Sequence, residues 1–382
     1  MTTFKTPYYI VYESSLRRNL DLITDVMRQS GAKIIMAFKA NALWRTFSIF
    51  REYGICSTAS SVNEMLLAND ELKCKVHAYC PVYTDDTIKQ FIDGSSHITF
   101  NSVEQFNRYK DLIEQHNEQK PSERISCGLR VNPMCSVVET DIYNPCCPGS
   151  RFGVTKEALG EQWPEGIEGM HFHALCESTS YDLEKILAVV EDKFGEFLPK
   201  LKWINMGGGH LMTRKGYDVQ HLIALIKQFR AKYPNLEVIL EPGSAFCWQT
   251  GDLESSVVDI VTNSGIKTAI VDVSFACHMP DCLEMPYKPA IEQALDDVDG
   301  DKPTYRIGGN SCLSGDVIGD WSFNSPLKVG DKLTFKDMNH YTTVKTNMFN
   351  GIQHPAIILE HCNGERELLR EFTYVDYKSR MS

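Results

Sequence analysis

Eight short apolar runs, most of them followed by a stretch of helical spacing, occupy the first two thirds of this 382-residue chain. The runs are IIMAF (34–38), GICSTAS (54–60), KVHAYC (75–80), HITFN (97–101), ISCGLRVN (125–132), GMHFHAL (169–175), KWINMGGG (202–209) and EVILEPG (237–243). Helical spacing appears at 14–29, where Leu16, Leu20, Ile23 and Met27 share a face. It recurs in SVNEMLLAND (61–70, with Ser61 and Glu64 spaced as a capping box), SVEQFNRYKDLI (102–113), YDLEKILAVVEDKF (181–194) and VQHLIALIKQFRAKY (219–233). Parallel strands joined by crossover helices, repeated eight times, close into a (β/α)8 barrel. After about residue 250 the pattern becomes β-rich, with SSVVDIVTN, KTAIVDVSF, TYRIGGNSC, KLTFKDMNHYTT and AIILEH separated by Gly, Pro and Asp turns. The spacing therefore predicts an α/β protein: a (β/α)8 TIM barrel over 12–249 and a mostly-β C-terminal domain over 250–382. The N-terminal strand, placed in 1–11 and read from PYYIVY (7–12), is expected to join the second domain.

Composition narrows the function classes. A net charge of −11 disfavours non-specific nucleic-acid binding and suits a cationic small-molecule partner. No apolar run has signal-peptide character or membrane-spanning length, so the expectation is a cytoplasmic protein with no membrane partner. The 13 cysteines are an odd number and lack paired C-x-x-C spacing, so reduced thiols are expected rather than a disulfide framework, and no metal.

In a (β/α)8 barrel the chemistry gathers where strands end. The polar exceptions to the apolar runs fall at those ends: Lys39, Arg130, His173, Gly207–Gly209 and Glu241. Lys39 is either an edge lysine that snorkels to water or an amine whose pKa falls in a partly desolvated pocket, where it forms a Schiff base. The triple glycine is either a tight turn or a backbone cradle for phosphate; it has neither P-loop nor dinucleotide-fingerprint spacing. Glu241, fixed by Pro242 and Gly243, is either solvated or aimed at a protonated heterocyclic nitrogen. His173 is either a core histidine or a stacking ring. Cys312 and Tyr341 have equally ordinary readings, as a small buried hydrophobe and a strand aromatic. Amine, phosphate cradle, stacking ring and ring-nitrogen carboxylate together have one economical explanation, pyridoxal 5'-phosphate.

The motifs AFKAN, HFHALC, MGGGH, EPGS, GGNSC…GD and HYT…FNG, in this order, resemble the fold-type III (alanine-racemase-like) pyridoxal-dependent decarboxylases over nearly the whole chain. That group includes ornithine and diaminopimelate decarboxylases. Within it the chain is most similar to enzymes of polyamine biosynthesis that act on carboxynorspermidine and carboxyspermidine. The resemblance implies that Lys39 is the Schiff-base lysine, that His173 stacks on the cofactor ring and that Glu241 pairs with its nitrogen. It implies that Gly208, Gly209 and the Tyr341 hydroxyl hold the phosphate, with Ser244 and Arg130 also beside the cofactor. It implies a homodimer with active sites at the subunit interface, in which Cys312 comes from the second copy and protonates the carbon left by carbon dioxide. Arg151 and Asp316 match an inter-subunit ion pair.

Two positions depart from the relatives acting on ornithine or diaminopimelate. Ser244 replaces the arginine after E-P-G, and Leu313 replaces an acidic residue after the cysteine. Recognition of a distal cation then falls to other acids, for which Asp272 and Asp281 are the candidates, although turn caps or ion pairs explain both equally. The alternatives are a basic amino-acid decarboxylase, a fold-type III racemase, a non-catalytic relative and a Schiff-base aldolase without the cofactor. Glu241 and Cys312 argue against a racemase, which pairs the ring nitrogen with arginine.

Overall fold

The strand leading to Lys39 is broken at Ile35, and that break closes the barrel. The structure, a computed structural model, describes residues 4–138 and 144–382; residues 1–3 of the expected N-terminal strand region lie outside them. The chain divides into two units, Asn19–Phe246 and Met1–Arg18 together with Cys247–Ser382. Strand β1 (Tyr8–Tyr12) belongs to the second. The first contains β2 (Lys33–Ile34), β3 (Met36–Ala37), β4 (Ser57–Ala59), β5 (Val76–Tyr79), β6 (Ser95–Phe100), β7 (Ser126–Arg130), β8 (Gly169–His171), β9 (Trp203–Asn205) and β10 (Glu237–Leu240).

These strands form one parallel sheet in the order β2-β10-β9-β8-β7-β6-β5-β4-β3. Its two edges are halves of a single run. Ile34 lies opposite Leu240, and Met36 lies opposite Ser57. The Ile35 N–H donates to the Leu240 carbonyl at 2.9 Å, and the Met36 N–H donates to the Cys56 carbonyl at 2.8 Å. Nine segments thus make an eight-stranded barrel with no free edge. Both faces of a barrel strand are covered, which is why these runs are continuously apolar. Val76, Ile98, Leu129, Met170, Ile204 and Val238 are all fully buried.

The crossover helices bury the predicted faces. Leu16, Leu20 and Ile23 of Glu13–Ser30 are buried and Met27 is half-buried; Leu183, Ile186 and Val190 of Ser180–Phe194 are buried. The box at Ser61 is displaced by one residue. Ser61 Oγ accepts from the Glu64 N–H, while the Glu64 carboxylate accepts from the Ser60 N–H at 2.7 Å rather than from that of Ser61.

The second unit is a mixed sheet. It contains β1, β11 (Gly251–Asn263), β12 (Ile266–Val271), β13 (Thr304–Gly308), β14 (Val317–Ser322), β15 (Lys332–Phe335), β16 (Ala356–Glu360) and β17 (Arg366–Arg370). The order is β14-β13-β12-β11-β1-β16-β17, with β15 also on β11. β1 runs antiparallel to β11 and parallel to β16, so the N-terminal strand is an interior member of this sheet. Its core includes Tyr9, Leu253, Phe275, Trp321 and Phe335. The strand expected over 332–343 stops at Phe335; beyond it the chain turns, and Asp337 and Tyr341 both adopt positive φ, 62° and 50°. All thirteen cysteines are free thiols. Among the described residues no helix is long and apolar enough to cross a membrane.

Candidate active site

Four strand ends of the barrel unit are stitched together by backbone contacts that bring the predicted side chains to one rim. Phe38, Lys39 and Ala40 form the turn after β3. The Ala37 N–H donates to the Pro242 carbonyl at 3.2 Å, and a Cβ at Gly243 would stand 2.5 Å from the Ala40 Cβ. Glycine at 243 is what lets the loop after β10 press against the Lys39 turn. On its other side, the Glu241 N–H donates to the Gly207 carbonyl at 2.8 Å. Gly207 has φ +72°, and a Cβ there would meet the Phe172 carbonyl oxygen at 2.4 Å. The glycine loop after β9 is therefore wedged between the His173 segment and the Glu241 segment.

Glu241 is gripped at both carboxylate oxygens. Its Oε1 accepts from His171 Nε2 at 2.9 Å and its Oε2 accepts from Asn205 Nδ2 at 2.9 Å. Burial pushes its carboxyl pKa up, but His171, Asn205 and the Lys39 charge outweigh burial and hold it below the ordinary value. His171 is itself buried, and burial depresses its pKa, so the imidazole is neutral and Nε2 carries the proton that Glu241 receives. Burial likewise lowers the Lys39 pKa; Glu241 opposes the shift and Arg130 adds to it. The Lys39 side chain is exposed to solvent while protein atoms surround it, the condition of an amine in a mouth that water reaches from one side.

His173 is half-buried. Its Nδ1 accepts from the Gly208 N–H at 3.0 Å, which fixes the ring and leaves Nε2 as the protonated nitrogen. Burial, Lys39 and Arg130 hold its pKa well below the ordinary value, so its ring face is uncharged. The Gly208 amide, read as a phosphate donor, is engaged by His173. Gly209, at φ +86°, accepts from the Ser178 N–H through its carbonyl at 2.8 Å. Ser244 opens the helical turn Ser244–Cys247 next to Gly243. Arg130 is buried, with its guanidinium 4.7 Å from the Tyr79 ring and 4.5 Å from the Phe152 ring, and it donates to the His173 carbonyl at 3.4 Å. Tyr79 also stacks on His171 at 5.3 Å. His171, Asn205 and Tyr79 lie outside the predicted set. The only sequence signal for them was position. Each stands at the end of a strand, and His171 alternates with His173.

In the second unit, Cys312 is exposed, on a loop whose backbone is tied down. The Cys312 N–H donates to Asn350 Oδ1 at 2.8 Å. Asp316 anchors the same loop: its carboxylate accepts from the Phe275, Ala276 and Ser311 N–H groups and from the Ser311 hydroxyl at 2.6 Å. At 3% exposed in the single chain, it is engaged inside its own unit. Arg151 is exposed and lies over the Phe152 ring at 4.4 Å. Asp272, read as a candidate distal contact, accepts from Thr6 Oγ1, Ser255 Oγ and the Ser256 N–H at 2.6, 2.9 and 2.9 Å, so its carboxylate is engaged in fixing the sheet. Asp281 is paired with Lys345 at 2.7 Å.

The rim residues fit a pyridoxal phosphate: an amine of lowered pKa, an ionised carboxylate gripped at both oxygens and a flat neutral imidazole, all on adjoining strand ends.

Comparison with known proteins points the same way. The family model described as pyridoxal-dependent decarboxylase, C-terminal sheet domain, matches residues 23–339. A carboxyaminopropylagmatine decarboxylase from Synechocystis sp. is 44% identical over 381 residues, covering 100% of this chain and 96% of that protein. A carboxynorspermidine/carboxyspermidine decarboxylase from Campylobacter jejuni is 40% identical over 98% of both chains. The crystal structure of carboxynorspermidine decarboxylase from Campylobacter jejuni, complexed with norspermidine, superposes with a TM-score of 0.88 at 39% identity, covering 99% of this chain and 100% of that one.

Proposed function

Because the chain belongs to the pyridoxal-dependent decarboxylases, we propose that it removes the carboxyl group from the amino-acid head of a linear carboxylated polyamine, carboxynorspermidine and/or carboxyspermidine. The observation that carries the chemistry is Glu241, an ionised carboxylate held by His171 and Asn205 beside the Lys39 amine. The observation that supports the substrate class is full-length similarity to enzymes named for such substrates. The relative named for carboxyaminopropylagmatine supports a second reading, in which the distal group is a guanidinium rather than an amine.

Pyridoxal phosphate, when bound, supplies a carbonyl that captures the substrate amine and a cationic ring that takes up the electron pair of the breaking C–C bond. The protein does the rest. Lys39 holds a larger neutral fraction than a solvated lysine, which suits it to attack and to be displaced. Glu241 would accept the hydrogen bond of a protonated ring nitrogen, and His171 and Asn205 keep its lone pairs directed. His173 offers its uncharged face to a flat ring. Gly208, Gly209, Ser244, the Tyr341 hydroxyl and Arg130 are the groups assigned to the phosphate and the ring periphery. Cys312, exposed on its fixed loop, is assigned the proton that replaces carbon dioxide, supplied by the second copy of a homodimer.

A carbon dioxide release assay with carboxynorspermidine, carboxyspermidine, carboxyaminopropylagmatine, meso-diaminopimelate, L-ornithine, L-lysine and L-arginine tests the substrate class. One or more of the three carboxylated polyamines should be turned over with the highest kcat/KM. Equal or faster turnover of diaminopimelate or a simple amino acid would refute the reading.

A further inference from the structure

The opposite end of the barrel carries a thiol pair that decarboxylation does not use. Cys56 immediately precedes β4 and Cys74 stands two residues before β5, and these neighbouring parallel strands are in register at Thr58 and His77. Both cysteines therefore sit at the N-terminal ends of adjacent strands, whereas Lys39 follows the C-terminal end of β3. Their backbones are anchored. The Cys56 carbonyl accepts from the Met36 N–H at 2.8 Å, and the Cys74 carbonyl accepts from Asn69 Nδ2 at 2.7 Å. The two thiols stand close enough for each to perturb the ionisation of the other. Both side chains are half-buried rather than sealed, unlike Cys127 and Cys247.

The electrostatics favour one shared proton. Interaction with the Cys74 thiol lowers the Cys56 pKa to about 6 against the opposing effect of burial, and the Lys33 ammonium adds to the lowering. The same interaction, with burial, pushes Cys74 well up. Cys56 is thus the thiolate and Cys74 the thiol beside it.

We propose that Cys56 and Cys74 form a reversible oxidation site, converted to an intramolecular disulfide by a low-molecular-weight disulfide such as oxidised glutathione. The Cys56 thiolate attacks one sulfur of the reagent, forming a mixed disulfide and releasing one glutathione thiolate. The charge that kept Cys74 protonated is then gone. Cys74 loses its proton to that released thiolate, and its sulfur attacks Cys56, expelling the second glutathione as a thiolate. The pair loses two electrons, and the reagent gains them as one thiol and one thiolate. The product ties the N-terminal ends of β4 and β5 together.

The test treats the holoenzyme with oxidised glutathione at pH 7, blocks remaining thiols by alkylation without reduction, and maps peptides by mass. The expected product is a Cys56–Cys74 cross-link, two hydrogens lighter than the reduced pair and reversed by dithiothreitol. In Cys56→Ala, Cys74 should stay reduced. In wild type the pH profile of Cys56 alkylation should have its midpoint near 6, and in Cys74→Ala that midpoint should move upward. The proposal is overturned if adducts form only at the exposed Cys312 and Cys362, if glutathione stays on Cys56 unresolved by Cys74, or if the midpoint is the same in both proteins. Should a variant fail to fold, the wild-type map decides alone.

Discussion

Glu241 remains an anion in a buried setting because each carboxylate oxygen has its own donor. Removing either donor leaves burial less opposed, so the pKa of Glu241 must rise. Its folded value lies below the ordinary carboxylate value, so the working anion persists at neutral pH and is lost only as pH falls. In Asn205→Ala and His171→Phe the acid limb of the kcat profile should therefore move to higher pH, with kcat at neutral pH lower by about tenfold, as for other losses of an orienting partner. An acid limb that stays in place would mean that the two donors do not tune Glu241. Glu241→Gln removes the anion itself and should lower kcat by about 100-fold or more, in the range of lost preorganised electrostatic groups. Of this arrangement the sequence offered Lys39, His173 and Glu241, because each is a polar residue closing an apolar run. It could not offer the Asn205 contact. An asparagine within a run of strand residues looks like many others until the neighbouring strand places a carboxylate 2.9 Å away.

At the scale of elements, the barrel strands were legible because burial on both faces demands unbroken apolar runs. The break at Ile35 was not, since a single run pairing with both sheet edges is a property of closure rather than of composition. β14 and β17 escaped for the converse reason: VIGDWS and RELLR mix Gly, Asp, Glu and Arg into strands that are only partly buried. Polar hubs were illegible for the same reason. Asp272 and Asp316 look available in the sequence, and only the fold shows their oxygens filled by local donors. The glycine loop allows a direct test of the strand-end stitching. Gly207→Ala places a Cβ 2.4 Å from the Phe172 carbonyl at a φ of +72°, so it should cost about 2 kcal/mol or more in denaturant unfolding. Gly300, with nothing within 4 Å of its Cβ position, is the control: Gly300→Ala should change stability by less than about 0.5 kcal/mol. Equal effects would show that the wedge between the segments after β8 and β10 is not what the glycine serves.

At the scale of the whole molecule, the barrel interior holds two histidines in their neutral form. His77 and His97 stack at 3.8 Å, and Lys33 Nζ lies 3.0 Å from His77 Nε2. Burial first, then the charges of His97 and Lys33, push the His77 pKa well down; burial and Lys33 push His97 down to about 4. The unfolded chain binds these protons at an ordinary histidine pKa of about 6.5, so unfolding takes up protons below that pH. Stability should be fully present above about pH 6.5. It should fall as pH drops toward 4, by about 1 kcal/mol per pH unit for each histidine. Denaturant unfolding at pH 7 and pH 5 measures this, and the difference should shrink in His97→Phe. A difference unchanged by that substitution would place the acid sensitivity elsewhere.

Lys39 is the residue proposed to tether the cofactor beside Glu241. Borohydride reduction of the cofactor-loaded protein, followed by peptide mapping by mass, tests it most directly. The account predicts a pyridoxyl adduct on Lys39 with the visible absorption band lost in step. An adduct on any other lysine, or full loss of the band with Lys39 unmodified, would contradict it.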